Sequence, residues 1–212
     1  LFRSKKAVAA AFLFDIEPHN FRKGKLSGLA VALNPQEGVY IQVNKELSAS
    51  YILKALEFFF QDKQREKYVH DSKLFRHILA DYEISLSMPF FDSLLAAYLL
   101  QPSWSSYYLP LLAKAYLGRD IRGPDKKASS EEKEYQRLRY IVGNCKALFS
   151  LRQSLLQELE SKELDGLYRN LELPLAGVLA AMERHGIRLH EESLQSLNYD
   201  FTIISNRFPI KG

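Results

Sequence analysis

Two acidic residues, Asp15 and Glu17, end an apolar run near the N-terminus, within the stretch FLFDIEPHN (residues 12–20). Side chains at positions i and i+2 of a β-strand point to the same side, so both carboxylates would face one site. Carboxylate oxygens are the ligands that hard divalent cations such as Mg²⁺ prefer. The pair is therefore either half of a divalent-metal site or two solvated acids at a strand-to-turn junction, and these residues alone leave both open.

The other residues with reactive or metal-binding side chains suggest no second site. Cys145 lacks a neighbouring His or basic residue arranged for nucleophilic use, so we interpret it as a core thiol. Trp104, Tyr107 and Tyr108 could stack on a nucleic-acid base, but we expect them to form a packing cluster at a helix start. No histidine spacing would bring metal ligands together; the histidines are His19, His70, His77, His185 and His190.

The composition is that of a globular protein with an ordinary core. Of 212 residues, 47% are hydrophobic and 25% are charged. No apolar run reaches the ~18 residues that a membrane-spanning helix needs. The net charge of +4 permits a polyanionic partner but is far from that of a strong DNA-binding domain. The single cysteine excludes an intrachain disulfide and fits a reduced, cytoplasmic setting.

The pattern around the two acids predicts the sheet that must carry them. Residues 7–15, 28–34 and 38–44 have the apolar patterns of strands, and the short connection after residue 34 is typical of a hairpin. We expect these strands to form an antiparallel meander with residues 7–15 inside. Helical and short extended segments alternate after residue 48, which indicates an α/β domain with a mixed sheet flanked by helices.

Two long helices are predicted in the C-terminal half of the chain. The first follows a polar loop over residues 119–130, with Ser130 as its N-cap. The second lies within residues 164–193, bends at Pro174 and ends at Gly186.

Several segments together resemble a known family. They are LFRHILADYEISL (74–86), FFDSLLAAYLLQP (90–102), LLAKAYLG (111–118) and LYRNLELPLAGVLAAMERHGIRLHEESL (167–194). The most specific stretch is LELPLAGVLAAMERHGIRL. Over about residues 5–197, the chain is similar to the large fragment of bacterial DNA polymerase I, a family A polymerase.

The resemblance implies how the chain is divided. Residues 1–160 correspond to a 3′–5′ exonuclease domain with a ribonuclease-H-like fold, and residues 161–198 to the first helices of the polymerase domain. Residues 199–212 form a tail without a counterpart in the family. The palm carboxylates of the family have no match, so we expect that this chain does not polymerise DNA by itself.

The resemblance also implies a site that has lost half of its ligands. In the family, four carboxylates hold two divalent metals, which neutralise a phosphate and activate water. Asp15 and Glu17 match the first pair, and Tyr140 matches the residue that positions the attacking water. Phe75 and Asn144 stand where the other two aspartates belong. A phenyl ring offers no lone pair to a cation, and an amide oxygen is a weaker ligand than a carboxylate.

This pattern favours a degenerate exonuclease domain that serves as a structural platform beside the polymerase. We expect Phe75 to contact Asp15, no Mg²⁺, Mn²⁺ or Zn²⁺ to bridge Asp15 and Glu17, and Asp71 to cap a helix. One alternative is a residual Mg²⁺- or Mn²⁺-dependent 3′–5′ exonuclease with rearranged ligands. Another is a protein-interaction module without catalytic function.

The partners that the resemblance implies are those of the parent polymerase. They are DNA, contacted through that polymerase in replication and repair, and the remainder of the polymerase domain. No membrane partner is expected, and a cytoplasmic monomer fits the sequence best.

Overall fold

A five-stranded mixed sheet lies at the centre of the computed structural model, which describes residues 9–17 and 25–186. Its strands are β1 (Ala9–Glu17), β2 (Lys25–Ala32), β3 (Gly38–Gln42), β4 (Glu66–Val69) and β5 (Phe90–Asp92).

The sheet has the order β3-β2-β1-β4-β5, so β1 is the central strand, with β2 on one side and β4 on the other. β1 pairs antiparallel with β2, and β2 pairs antiparallel with β3. β4 runs parallel to both β1 and β5. The predicted meander with the first strand inside is therefore confirmed.

Helices cover the sheet and continue beyond it. They are α1 (Ala49–Gln61), α2 (Ser72–Ala80), α3 (Ser93–Leu100), α4 (Leu109–Leu117), α5 (Ser130–Ser161), α6 (Asp165–Leu167) and α7 (Leu173–His185). A π-helical segment, Tyr168–Glu172, joins α6 to α7. Within residues 9–17 and 25–186, no helix is both long and apolar enough to cross a bilayer.

The N-terminus of α5 corrects one prediction. Ser129, not Ser130, is the N-cap: its backbone is extended, and its side chain accepts a hydrogen bond from the Glu132 N–H at 3.2 Å. A capping residue must leave the helical backbone conformation to aim its oxygen at the first free N–H groups, whereas Ser130 is already helical. Two adjacent serines made the sequence signal ambiguous by one position.

The C-terminal helical region is interrupted where a single bent helix was expected. Pro174 has no N–H to donate to the carbonyl one turn earlier, and the preceding turn is π-helical, with the Leu173 N–H donating to Tyr168 O. Gly186 ends α7 with a φ of 71°, as predicted. The tail at 199–212, which was predicted to have no counterpart in the family, lies outside the described residues.

The core lies on both faces of the sheet. On one face, Phe12 of β1 meets Phe59 and Phe60 of α1 at ring-centroid distances of 5.5 and 5.0 Å. On the other face, α5 packs against β1, β2 and β3. Cys145 of α5 is fully buried there, and its Sγ lies 3.4 Å from Ala11 O. Cys145 is thus the core thiol that its sequence context predicts.

The described residues up to Ala180 form one compact unit, which contains the sheet and the helices that pack on it. The last turn of α7, from Ala181 onward, belongs to a second unit.

Candidate functional site

Asp15 is the acid around which the candidate site is built, and it is not solvated. Its residue surface is 6% exposed. Its Oδ2 accepts a hydrogen bond from Tyr40 Oη at 2.5 Å and another from Arg137 Nη1 at 2.5 Å. The Asp15 carboxylate is therefore held by one neutral and one cationic donor.

A glycine allows Tyr40 to reach Asp15. In the β1–β2 ladder Gly28 is the cross-strand partner of Asp15, and Tyr40 lies on the neighbouring strand β3. A Cβ atom on Gly28 would lie 2.1 Å from Tyr40 Oη, so the Tyr40 side chain crosses the space that any other residue would fill. Burial and the Asp15 carboxylate raise the pKa of Tyr40 to about 12, so the phenol stays a proton donor at neutral pH.

Arg137 comes from α5 and is fixed by more than Asp15. Its Nε and Nη2 each donate to one carboxylate oxygen of Glu134, both at 2.8 Å, in the two-point geometry that guanidinium and carboxylate groups favour. The guanidinium carbon lies 5.8 Å from the centroid of the Tyr40 ring. Glu134 and Asp15 raise the pKa of Arg137 above its usual value, and Arg137 lowers the pKa of Glu134. We call Asp15, Tyr40, Glu134 and Arg137 the Asp15 cluster.

Phe75, which stands at one of the lost aspartate positions, belongs to the core rather than to the Asp15 cluster. It is 2% exposed and stacks on Phe14 with ring centroids 4.0 Å apart. It also meets Phe12 and Phe60 at 6.4 and 5.7 Å. Neighbouring residues of a strand point to opposite faces, so Phe14 and Phe75 lie across β1 from the Asp15 carboxylate. The described hydrogen-bond partners of Asp15 are Tyr40 and Arg137. A contact between Phe75 and Asp15 stays a prediction.

Asn144 stands at the other position where the family has an aspartate, and it forms a hydrogen bond within its own helix. It is 2% exposed, and its Nδ2 donates to Tyr140 O at 2.9 Å, one turn earlier in α5. Its Oδ1 has no hydrogen-bond partner among the described residues. Tyr140 is half-buried, and burial raises its pKa. Both residues therefore lie where the helix was predicted to carry them, but neither presents a carboxylate.

Asp71 has a structural role, as predicted. Its side chain accepts from the Leu74 N–H at 2.9 Å and caps α2, and its backbone is left-handed with a φ of 64°. Burial raises the pKa of its carboxyl.

Asp92, at the end of β5, is an acid whose role the sequence reasoning missed. It is fully buried and accepts hydrogen bonds from backbone N–H groups at the start of both α2 and α3. The closest are Ser72 N–H at 2.6 Å and Leu94 N–H at 2.9 Å. Burial raises the pKa of Asp92, while these backbone bonds act in the opposite direction. Its position directly before a helix was the signal that could have identified it as a cap.

The side chains that the structure describes around Asp15 do not fit a two-metal site. Such a site needs several anionic oxygens that converge on one point. Among the side chains that the structure describes, no three His, Cys, Asp or Glu residues are grouped so that they could hold a metal. Asp15 already accepts from a guanidinium, and Asn144 offers one neutral oxygen. Glu17 ends β1, and only its backbone is within the described part of the chain.

The sequence reasoning also missed Arg137, Tyr40 and Gly28. Arg137 lies three residues before Tyr140, so a helix places both on neighbouring positions of one face, and a cation there could have been noticed. No sequence signal links Tyr40 or Gly28 to Asp15 without the strand register.

Of the three aromatic residues that were predicted to pack together, Trp104 and Tyr107 do so. The Trp104 ring is 6.2 Å from Tyr107 and 6.3 Å from Tyr116, and Tyr107 Oη donates to Gln101 O at 2.6 Å. Trp104 and Tyr107 are partly buried against the core, whereas Tyr108 is 55% exposed.

Comparisons with known proteins agree with this fold. The family whose sequence model matches, over residues 12–126, is described as DNA polymerase I, ribonuclease H-like domain. Curated relatives include the DNA polymerase I of Chloroflexus aurantiacus, 30% identical, and that of Geobacillus stearothermophilus, 28% identical. These alignments cover 93% and 92% of this chain but 22% of each relative. The chain therefore spans about a fifth of the length of the curated relatives it matches.

Solved structures give the same picture. The POL domain of Pol1 from M. smegmatis, in complex with DNA primer-template and dNTP, has a TM-score of 0.74 at 26% identity. That match covers 93% of this chain and 32% of the other. Brucella melitensis NrnC with bound Mg²⁺ has a TM-score of 0.64 at 17% identity, covering 89% of this chain and 92% of NrnC. The likeness to NrnC concerns the fold alone.

Proposed function

Because this chain belongs to the family of DNA polymerase I ribonuclease H-like domains, we propose that it is part of a DNA polymerase I that works in DNA replication and repair. In this proposal the ribonuclease H-like domain is a structural platform beside the polymerase, and it does not remove nucleotides from a 3′ end. We expect that this chain does not polymerise DNA by itself, since it spans about a fifth of the length of these relatives.

The position of Phe75 carries the proposal. A two-metal exonuclease needs a carboxylate there, facing the same point as Asp15. Phe75 instead stacks on Phe14 at 4.0 Å, and Phe14 points to the opposite face of β1 from Asp15. A carboxylate on α2 at this position would enter an aromatic core rather than complete a metal site. Residue 75 has therefore lost the metal-binding carboxylate and has become a core residue, which supports a structural role for the domain.

The metal requirement follows from the same reasoning. A functioning site would use Mg²⁺ or Mn²⁺ to activate the attacking water. The groups that contact the Asp15 carboxylate are a guanidinium and a phenol. Both donate hydrogen bonds to it, so neither offers a lone pair to a metal there. We therefore propose that this domain works without a divalent metal.

The platform role implies a surface for the rest of the polymerase. On α7, Leu175, Val178 and Leu179 are 38%, 54% and 39% exposed. Their spacing of i, i+3 and i+4 places them on one face of the helix. Leu171, just before α7, is 51% exposed. We propose that the remainder of the polymerase domain covers this face, that DNA is contacted through that polymerase, and that the protein is a cytoplasmic monomer.

A 3′-end degradation assay tests the proposal directly. The chain is incubated with 5′-labelled single-stranded DNA in Mg²⁺ and then in Mn²⁺, beside the variant Asp15→Asn prepared in the same way. We expect no loss of nucleotides beyond the trace that both preparations share, because a contaminating nuclease does not depend on Asp15.

Shortening of the DNA by the unchanged chain that Asp15→Asn abolishes would refute the structural role. It would support the alternative of a residual exonuclease with rearranged ligands.

A further inference from the structure

We propose that Arg137 takes the place of a metal ion beside Asp15 and acts as a permanent internal counter-ion that closes this carboxylate to divalent cations. The inference rests on the proposed function, since it explains how a domain that keeps an acid of the family's site can hold it without a metal. It identifies Arg137 as a second reason why no metal binds at Asp15, in addition to the loss of two carboxylates.

The Asp15–Arg137 pair differs from the surface ion pairs of this chain. Most of the other described ion pairs join residues three or four positions apart in sequence, such as Lys162 with Glu158, although Arg152 and Glu66 also connect α5 to the sheet. Asp15 and Arg137 lie 122 residues apart in sequence and connect the central strand to α5. The Asp15 side chain is 6% exposed and that of Arg137 is 26% exposed. A contact that is this shielded from water and joins distant elements requires the tertiary fold.

Arg137 is held in this position before any ligand arrives. Glu134 holds two of its nitrogens at 2.8 Å, and the Tyr40 ring lies beneath the guanidinium. Tyr40 in turn donates to the same oxygen of Asp15 that Arg137 contacts. The guanidinium therefore loses little conformational freedom when it pairs with Asp15, and its position is defined by three neighbours.

The charges explain why a metal would be excluded. Asp15 and Arg137 together are neutral, so a divalent cation at Asp15 would place two further positive charges next to the guanidinium. The cation would otherwise have to displace Arg137 from Asp15, which would break this contact and leave the partly buried guanidinium paired with Glu134 alone. Both routes are unfavourable even if carboxylates were restored elsewhere in the site.

The test compares the full chain with Arg137→Gln, which removes the charge and keeps much of the side-chain volume. We expect the unfolding equilibrium constant of Arg137→Gln to rise at least about tenfold, because the variant leaves a nearly buried carboxylate without its cation. We also expect millimolar Mn²⁺ to raise the melting temperature of Arg137→Gln but not that of the unchanged chain. Adding Asp15→Asn to Arg137→Gln should remove this response to Mn²⁺.

Two controls keep the test decisive. Arg122→Gln breaks an ion pair with Asp120 whose side chains are 82% and 57% exposed, and it should change neither stability nor the Mn²⁺ response. Arg137→Lys retains the positive charge, so it should fold more stably than Arg137→Gln and stay insensitive to Mn²⁺. If Arg137→Gln does not fold, the Mn²⁺ response of Arg137→Lys decides, and a response that depends on Asp15 overturns the proposal.

The proposal also fails if the unchanged chain gains stability from Mn²⁺ through Asp15, or if folded Arg137→Gln gains none. These outcomes are separate from the fate of the proposed function, which the DNA degradation assay decides. An unchanged chain without nuclease activity and an Arg137→Gln variant without a Mn²⁺ response would leave the platform role standing and remove only the role of Arg137.

Discussion

Gly28 and Tyr40 lie so close that the Tyr40 hydroxyl occupies the space of a Gly28 side chain: a Cβ atom there would be 2.1 Å from Tyr40 Oη. Gly28→Ala should therefore push Tyr40 away from Asp15 and break a hydrogen bond to a carboxylate. We expect the free energy of unfolding to fall by about 2 kcal/mol, measured by urea denaturation.

The control for this variant is Gly166→Ala in α6, where an added Cβ would meet nothing within 4 Å. Alanine has the higher helix propensity, so this variant should be neutral or gain up to ~1 kcal/mol. Equal stabilities for the two variants would show that the Tyr40 side chain has another route to Asp15.

The burial of Lys67 predicts how the stability of the protein depends on pH. It is fully buried in β4, its Nζ donates to Asp62 O, and burial lowers its pKa to about 8 from the usual 10.5. Between these two values the unfolded chain binds more protons at this position than the folded chain. Stability should therefore rise as pH increases from about 8 toward 10. The maximum contribution is about 3 kcal/mol, since each pKa unit corresponds to about 1.4 kcal/mol.

The variant Lys67→Met isolates this contribution, because methionine has similar length and no charge. Guanidinium denaturation at several pH values should show a flatter profile from pH 8 to 10 than that of the unchanged chain. Tyr40 and Tyr68, whose pKa values burial raises to about 12, act in the opposite direction above pH 10, so the comparison ends there. Parallel profiles for both proteins would mean that Lys67 titrates normally in the fold.

Tyr168 ties the helical region after α5 to the sheet. It is 1% exposed, the Asp92 N–H donates to its Oη at 2.8 Å, and the hydroxyl donates to Asp92 O at 3.1 Å. Tyr168→Phe leaves that buried N–H without a partner, so it should cost about 1–3 kcal/mol. Relative to the unchanged chain, Tyr168→Phe should increase the rate of amide hydrogen exchange more in residues 165–180 than in the middle of α5. Tyr51→Phe, at a site that is 64% exposed, should change stability by less than about 0.5 kcal/mol.

Substitutions of Phe75 test whether residue 75 is a core position or still lies in the former metal site. Phe75→Leu keeps an apolar side chain among Phe12, Phe14 and Phe60 and should cost about 1–2 kcal/mol. Phe75→Asp buries an unpaired charge in that core and should cost at least about 3 kcal/mol. Calorimetric melting temperatures with and without Mn²⁺ should be the same for Phe75→Asp. A rise on adding the metal would place residue 75 in a site with Asp15 after all.

The sheet could be predicted from the sequence because its signals are local. Residues 9–14 are apolar at every position, as a strand buried on both faces should be, and Pro35 follows the second strand where a hairpin turns. Asp71 precedes an apolar helical pattern and caps it as expected. The π-helical turn before Pro174 has no comparably distinct local signal, so the interruption of the last helix could not be anticipated.

The Asp15 cluster could not be predicted, because its members meet only in the folded chain. Asp15 and Arg137 are 122 residues apart, and the approach of Tyr40 depends on Gly28 being the cross-strand partner of Asp15. The resemblance identified which carboxylates are missing, since that information is in the residue types. What fills the space around the remaining acid depends on packing and register.

The π-helical turn Tyr168–Glu172 sets the rotational position of the side chains of α7, which follows it directly. Each residue of an α-helix advances the chain by roughly 100° around the axis, and a π turn contains about one residue more than an α turn. Deleting one residue here, so that the turn became α-helical, would rotate the later side chains of α7 by about that angle. Leu173 and Ala176, which are 1% and 5% exposed, would turn toward solvent. The one extra residue in the π turn thus fixes the rotation of α7 about its axis, and with it the side of α7 that is exposed for contact with a neighbour.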